Sequence, residues 1–139
     1  MKVYIAGKLT GKSEREFLEE IAKICEDLGL ETFLPHRDIG LAKNMNDVKR
    51  IFKGDIERGF KDIDLVIADL NGLHVGAGTS WELGYAYANK IPCVGIKTDE
   101  NLKNALDSLS AILIASMEIV SSVEELKEKL KNFKRKFPN

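Results

Sequence analysis

A chain of 139 residues is long enough to bury one substantial core and fits a single domain over residues 1–139. Hydrophobic residues make up 44% and charged residues 31%, the balance of a globular protein rather than a disordered tail. A formal net charge of −1 gives no reason to expect nucleic acid or a membrane surface as partner, and no apolar run approaches the ~18 residues of a membrane span.

The N-terminal apolar run is too short for a signal peptide. Cys25 and Cys93 fall inside predicted elements and lack metal-ligand spacing, so the expectation is a reduced cytoplasmic protein with no metal and no cofactor. The two histidines, His36 and His74, have no third partner at ligand spacing.

In chain order, 2-KVYIA-6 predicts a buried strand. It runs into Gly7, Lys8, Leu9, Thr10 and Gly11, which present backbone N–H groups, a hydroxyl and a cation to an anion, most simply a phosphate. A simple turn is the other reading, because neither the P-loop nor the dinucleotide spacing is present. Ser13 with Glu16 forms a capping-box signature, and Phe17, Leu18, Ile21, Ile24, Cys25 and Leu28 supply the apolar face of a helix that Gly29 ends. Next, 30-LETFL-34 reads as an edge or neighbouring strand. Residues 47–61 carry Val48, Ile51, Phe52, Ile56 and Phe60 at helical spacing.

Asp55 lies one turn from Ile51, Phe52 and Gly59, near the inward stripe of that helix. An inward carboxylate is costly unless it is paired, hydrogen-bonded or facing a site; a helix-end cap or a salt bridge to Arg58 is the plain alternative. After the buried strand 64-DLVIADL-70 comes a glycine-rich loop and then a helix over 79–89, beginning after Gly78 and stopped before Pro92. Glu82 falls in its first turn, where free N–H groups and the dipole favour an ionised carboxylate, the state a nucleophile needs. Simple complementation of that dipole is the alternative. Two more apolar runs, 92-PCVGIK-97 and 111-AILIA-115, read as strands. A last helix opens at Ser121 or Ser122 and presents 127-KEKLKNFKRK-136 to solvent.

Strands alternating with helices predict an α/β fold: a flavodoxin-like, doubly wound, five-stranded parallel sheet with helices on both faces. Ligands of such sheets bind at the carboxyl ends of the strands, which selects residues 6–12, 34–38, 69–82 and 97–101. Two carboxylates beside a sugar suggest glycosidic chemistry, so Asp55 and Glu82 are paired as a hypothesis. Trp81 reads as a core or interface residue, or as a platform for a base, and Tyr85 and Tyr87 as packing residues. His74 reads as a solvated loop residue and Thr98-Asp99 as a turn, while Asn101 and Asn104 cap a helix or reach a site.

The run 69-DLNGLHVGAGTSWELGYAYANKIPCVGIKTD-99 resembles the nucleoside 2-deoxyribosyltransferase superfamily, in which a G-T-x-x-E-L-G-Y-A segment carries a nucleophilic glutamate. The resemblance extends to 4-YIAG-7 and to Asp55. It implies Glu82 as nucleophile toward C1′ of a 2′-deoxyribose, Asp55 as the group handling the proton of the departing base, and Tyr4 as the residue orienting nucleophile or sugar. Transferases carry an aspartate six residues before the nucleophile; Gly76 stands there, which is closer to the 2′-deoxynucleoside 5′-phosphate N-hydrolases.

That branch uses the loop after the first strand for phosphate, here Gly7, Lys8, Leu9, Thr10 and Gly11. Ser110 in 109-LSAIL-113 resembles a serine contributed by the neighbouring subunit, and His36 a histidine near the substrate. The segment 70-LNG-72 and the pair Gly78-Thr79 look more like the transferases. The expected activity is hydrolysis of the base–sugar bond of 2′-deoxynucleoside 5′-monophosphates through a covalent deoxyribosyl–glutamate, by a homodimer with shared active sites. Its partner is a small-molecule deoxynucleotide, not nucleic acid or membrane. The alternatives are a deoxyribosyltransferase, a phosphoribohydrolase suggested by G-x-G-T-x-x-E alone, and a nucleotide-binding sensor without catalysis.

Overall fold

Alternation along the central strands sorts their side chains onto two faces. In the computed structural model, which describes residues 1–138, the strands are β1 (Lys2–Ala6), β2 (Glu31–Phe33), β3 (Leu65–Asp69), β4 (Cys93–Ile96) and β5 (Glu118–Val120). They form one sheet in the order β2-β1-β3-β4-β5, with every pairing parallel. Val3, Ile5, Leu65, Ile67, Val94 and Ile96 pack beneath α1 (Lys12–Asp27) and α6 (Val123–Lys136). Tyr4, Ala6, Val66 and Ala68 point to the opposite core, where Phe33, Phe60, Leu83, Ala86 and Leu109 meet them. Tyr4 stands between two residues of the first core, so the strand pleat alone sends it to the second.

The remaining helices are α2 (Pro35–Asp38), α3 (Val48–Phe52), α4 (Ala77–Ala88) and α5 (Ala111–Ser116). Because β2 and β3 lie on opposite sides of β1, the strand order reverses there, and a crevice opens between the carboxyl ends of β1 and β3. Among the described residues no helix is long and apolar enough to cross a membrane.

Several sequence expectations are corrected. The run 111-AILIA-115 is not a strand: it forms α5, and the fifth strand is 118-EIV-120. A five-residue apolar run has no period to distinguish the two states. What decides is Ser110, whose Oγ accepts the Ile112 N–H at 3.2 Å as an N-cap.

Ser13 caps nothing, since α1 already begins at Lys12 behind Gly11. The working capping box lies at the other end of the chain: Ser122 Oγ accepts from Glu125 N at 3.1 Å, and Glu125 reaches back to Ser121 N at 2.9 Å. The helix expected over 47–61 is three segments, a 3-10 turn at Met45–Asp47, then α3, then a π-turn at Lys53–Arg58. Finally, α4 starts behind Gly76, before Gly78, so its first turn holds no acidic residue and Glu82 falls in the second.

Candidate active site

Three buried oxygens without hydrogen-bond partners converge on the second core: Tyr4 Oη, Asp55 Oδ1 and Glu82 Oε2. Each arrives from a different element. Tyr4 leaves β1, with its ring stacked between Phe33 (centroids 5.3 Å apart) and Phe60 (4.2 Å). Asp55 comes from the π-turn and Glu82 from α4. Leaving a buried polar group unpaired costs about 1–3 kcal/mol, so three such groups together are a liability that a polar ligand would relieve.

Burial also sets the charge state. Loss of solvent pushes the Glu82 carboxyl up to about 7; the nearby charge of Asp55 adds to this, while the Tyr4 hydroxyl acts in the opposite sense. Tyr4 therefore stands close enough to favour the ionised glutamate, although neither buried oxygen completes a well-formed hydrogen bond. Asp55 is raised to about 6 by burial, against the pull of Arg50. The Tyr4 phenol is raised far beyond its ordinary range, by burial first and then by Glu82 and Asp55, so it stays neutral and can only donate or accept a hydrogen bond. Glu82 lies in the second turn of α4, beyond the free N–H groups expected to favour its ionised form, and burial raises its carboxyl instead.

A cleft of about 310 Å³ opens above the two carboxyls, walled by Val48, Ile51, Phe52, Ile56, Gly78 and Trp81. Trp81 is half-exposed, stacks on Tyr85 at 5.6 Å and meets Phe52 edge-on at 5.8 Å. It belongs to the cleft wall rather than to the core. Apolar walls over an acidic floor suit a flat, weakly polar group held against a reacting centre.

At the crevice between β1 and β3 the Lys8 stem crosses Gly76, where an added Cβ would lie 3.2 Å from Lys8 Cγ. Lys8 has no ion pair or hydrogen bond among the described residues. Gly76 is the N-cap of α4 and offers no side-chain cap, so the first N–H groups of that helix are free beside an unpaired cation. Lys8 also borders a small cavity with Ser13, Glu14, Asp69, Asn71 and Gly72. The Glu14 carboxylate folds over Gly11, and burial raises Asp69 above the usual carboxylate range.

The sequence profile of the nucleoside 2-deoxyribosyltransferase family matches residues 3–131. The chain belongs to that family. Among solved structures, a conserved protein from Enterococcus faecalis V583 superposes with TM-score 0.77 at 26% identity, covering 96% of this chain and 98% of its own. The 2-deoxyribosyltransferase of Bacillus psychrosaccharolyticus gives 0.73 at 17% identity, with 94% and 96% covered. A CMP N-glycosidase of Clostridium botulinum gives 0.52 at 21% identity, with 96% and 98% covered. No curated protein matches.

In this nucleoside 2-deoxyribosyltransferase family member, the fold brings Tyr4, Asp55, Glu82 and Gly78 to one cleft and sets Lys8 against Gly76. Leu9 and Gly11 are partly buried and Thr10 exposed. His36 instead pairs with Glu19 (2.9 Å), and its Nδ1 is buried without a partner. Ser110 caps α5 and lines a separate groove between α4 and α5. Asp55 forms no salt bridge to Arg58, Asn101 caps a 3-10 segment through Lys103 N (3.0 Å), and His74 is exposed.

Sequence reasoning missed Lys97. Its ammonium is buried at the end of β4, donates to Leu70 O (3.1 Å) and Gly72 O (3.3 Å) and pairs with Asp99 (3.0 Å). Asp99 accepts from Gly72 N at 2.7 Å, and Asn71 Oδ1 from Thr98 N at 2.7 Å. These bonds tie the loop leading into α4 to the end of β4. The only sequence signal was a lysine closing an apolar strand at the ligand edge.

Proposed function

We propose that this protein cleaves the N-glycosidic bond of 2′-deoxynucleoside 5′-monophosphates, releasing the free base and 2-deoxyribose 5-phosphate. The observation that carries the reading is the convergence of the unpartnered Tyr4, Asp55 and Glu82 oxygens at the floor of an apolar cleft. In the first step the ionised Glu82 carboxylate bonds to C1′ while the C1′–N bond breaks. The electron pair leaves with the base nitrogen, which takes a proton from Asp55. A water molecule then attacks C1′, returns a proton to Asp55 and frees the Glu82 carboxylate. Tyr4, neutral at all working pH, holds the nucleophile or the sugar by its hydroxyl.

Lys8 and the free N–H groups of α4 support a monophosphate at the 5′ end, because Gly76 leaves no carboxylate there to repel it. Glu14, folded over Gly11, must swing aside for the phosphate to settle on that loop. The solvent-facing apolar residues Tyr87 and Ile112 border the groove that Ser110 lines. They support a homodimer in which Ser110 of each copy serves the other's site. We assign the protein to the cytoplasm on its free cysteines, Cys25 and Cys93.

A transferase is the second reading. It is favoured by the family profile itself and by the open cleft, where a second base in place of water would intercept the glycosyl–Glu82 ester. Incubation with dGMP, deoxyguanosine and GMP, with and without a free acceptor base, separates the readings. Guanine from dGMP alone is the expected result. Product only on addition of acceptor base marks a transferase, and tight binding without turnover marks a sensor. Glu82→Ala should abolish base release while nucleotide binding stays measurable; release at the wild-type rate would exclude Glu82 as nucleophile.

A further inference from the structure

Asp55 sits inside the π-turn Lys53–Arg58, not in α3. The Gly59 N–H donates to Gly54 O at 2.8 Å, spanning five residues where an α-helix spans four. The wider turn changes which side chains share a face. The Phe60 ring stacks on Tyr4, so this phase delivers the carboxyl beside the Tyr4 hydroxyl and Glu82. Removing one residue to restore a regular helix would rotate Asp55 by about 100° relative to Phe60 and take it off the cleft.

Two glycines permit the turn, for different reasons. A Cβ on Gly59 would lie 2.3 Å from the Asp55 carbonyl oxygen, an atom of the turn's own backbone, and 2.6 Å from the Phe33 ring. A Cβ on Gly54 would have as its three nearest neighbours atoms of the flexible Ile39 side chain, the first being Cγ2 at 2.6 Å. The first obstacle cannot yield while the π-turn exists; the second can.

We propose that the π-turn is the aiming device of the site, with Gly54 and Gly59 as positioning residues that hold the Asp55 carboxyl toward the departing base. The inference rests on Asp55 acting as the proton donor.

The test compares D55N, G54A, G59A, G54A/I39A and G59A/I39A with wild type on two substrates: dGMP and its N7-methylated form, whose base departs without being protonated. G59A should lower kcat on dGMP about 100-fold, the scale of a lost proton donor, with KM changed less than about twofold. On the N7-methylated substrate it should stay within about fivefold of wild type, because that base needs no donor. G54A should show a smaller loss that I39A restores, whereas I39A should not restore G59A.

A readout independent of turnover is the titration of the Asp55 side-chain carbon by NMR. It should fall from about 6 toward the ordinary aspartate value of ~4 in G59A, as the carboxyl turns to solvent. Wild-type kcat on dGMP in G59A overturns the inference. So does an equal loss on both substrates, which would mark general disruption, or an unmoved Asp55 titration. If D55N itself turns over dGMP normally, the proton-donor reading fails and the inference with it. If D55N is impaired and G59A is not, the inference alone fails.

Discussion

Ionised Glu82 loses its water to the aromatic core, so its carboxyl rises to about 7, and Asp55 beside it rises to about 6. In the proposed reaction, attack needs Glu82 ionised and departure needs Asp55 protonated. The competent form is therefore a minor protonation isomer of the empty site, most populated between the two titrations. Below about 6 the nucleophile carries a proton, and above about 7 the donor has lost one, so kcat/KM for base release should trace a bell with its maximum between pH 6 and 7. A profile rising steadily through the alkaline range would contradict the assignment of Asp55. At the proposed phosphate end, G76D would press on the Lys8 stem and place a carboxylate beside its ammonium. It should raise KM for dGMP by about tenfold or more, the scale of one charged contact, while KM for deoxyguanosine changes little. Equal effects on both substrates would remove Lys8 and Gly76 from phosphate recognition.

Elements matter through where they end. The loop between β3 and α4 carries Gly72 with φ +97 and leads to the N-terminus that faces Lys8. Lys97 holds this loop by carbonyls at both 70 and 72 and neutralises Asp99. In K97M those carbonyls and Asp99 lose their partner. Stability should fall on the order of 2–3 kcal/mol, below the full loss of a buried pair because Asp99 is partly solvated. KM for dGMP should rise as the loop loosens, read by denaturant midpoints and initial rates on the same preparation. Unchanged stability would mean that the backbone, not Lys97, holds the loop. The element scale is also where reading the sequence failed, at 111-AILIA-115 and over 47–61. In the first, one capping serine outweighs an apolar run that suits a strand equally well. In the second, glycines at 54 and 59 permit a π-turn that no residue periodicity announces.

For the whole molecule, the parallel sheet puts every loop that matters at one edge, and α4 faces both the cleft and the apolar groove shared with α5. If a second copy covers that groove, each site draws Ser110 from its neighbour. Mixing E82A and S110A subunits should then regenerate activity, since one site of each hybrid dimer carries both native residues. No recovery on mixing, with dimers confirmed by sedimentation, would remove Ser110 from the shared site.

The sequence by itself determined the four central features that depend on local pattern. These are the parallel α/β class from alternating elements, the buried β1, β3 and β4 from their apolar runs, the carboxyl edge of the sheet from strand direction, and the family from G-T-x-x-E-L-G-Y-A. It also nominated Tyr4, Asp55 and Glu82. Only the tertiary structure decided their charge states and their aim. Glu82 lies in the second turn of its helix at the floor of a cleft, where burial raises its carboxyl. Asp55 reaches the cleft from a π-turn whose Gly54 and Gly59 lie close against Ile39 and Phe33, distant in sequence. Burial and close approach are properties of surfaces brought together by folding, and a linear pattern carries neither.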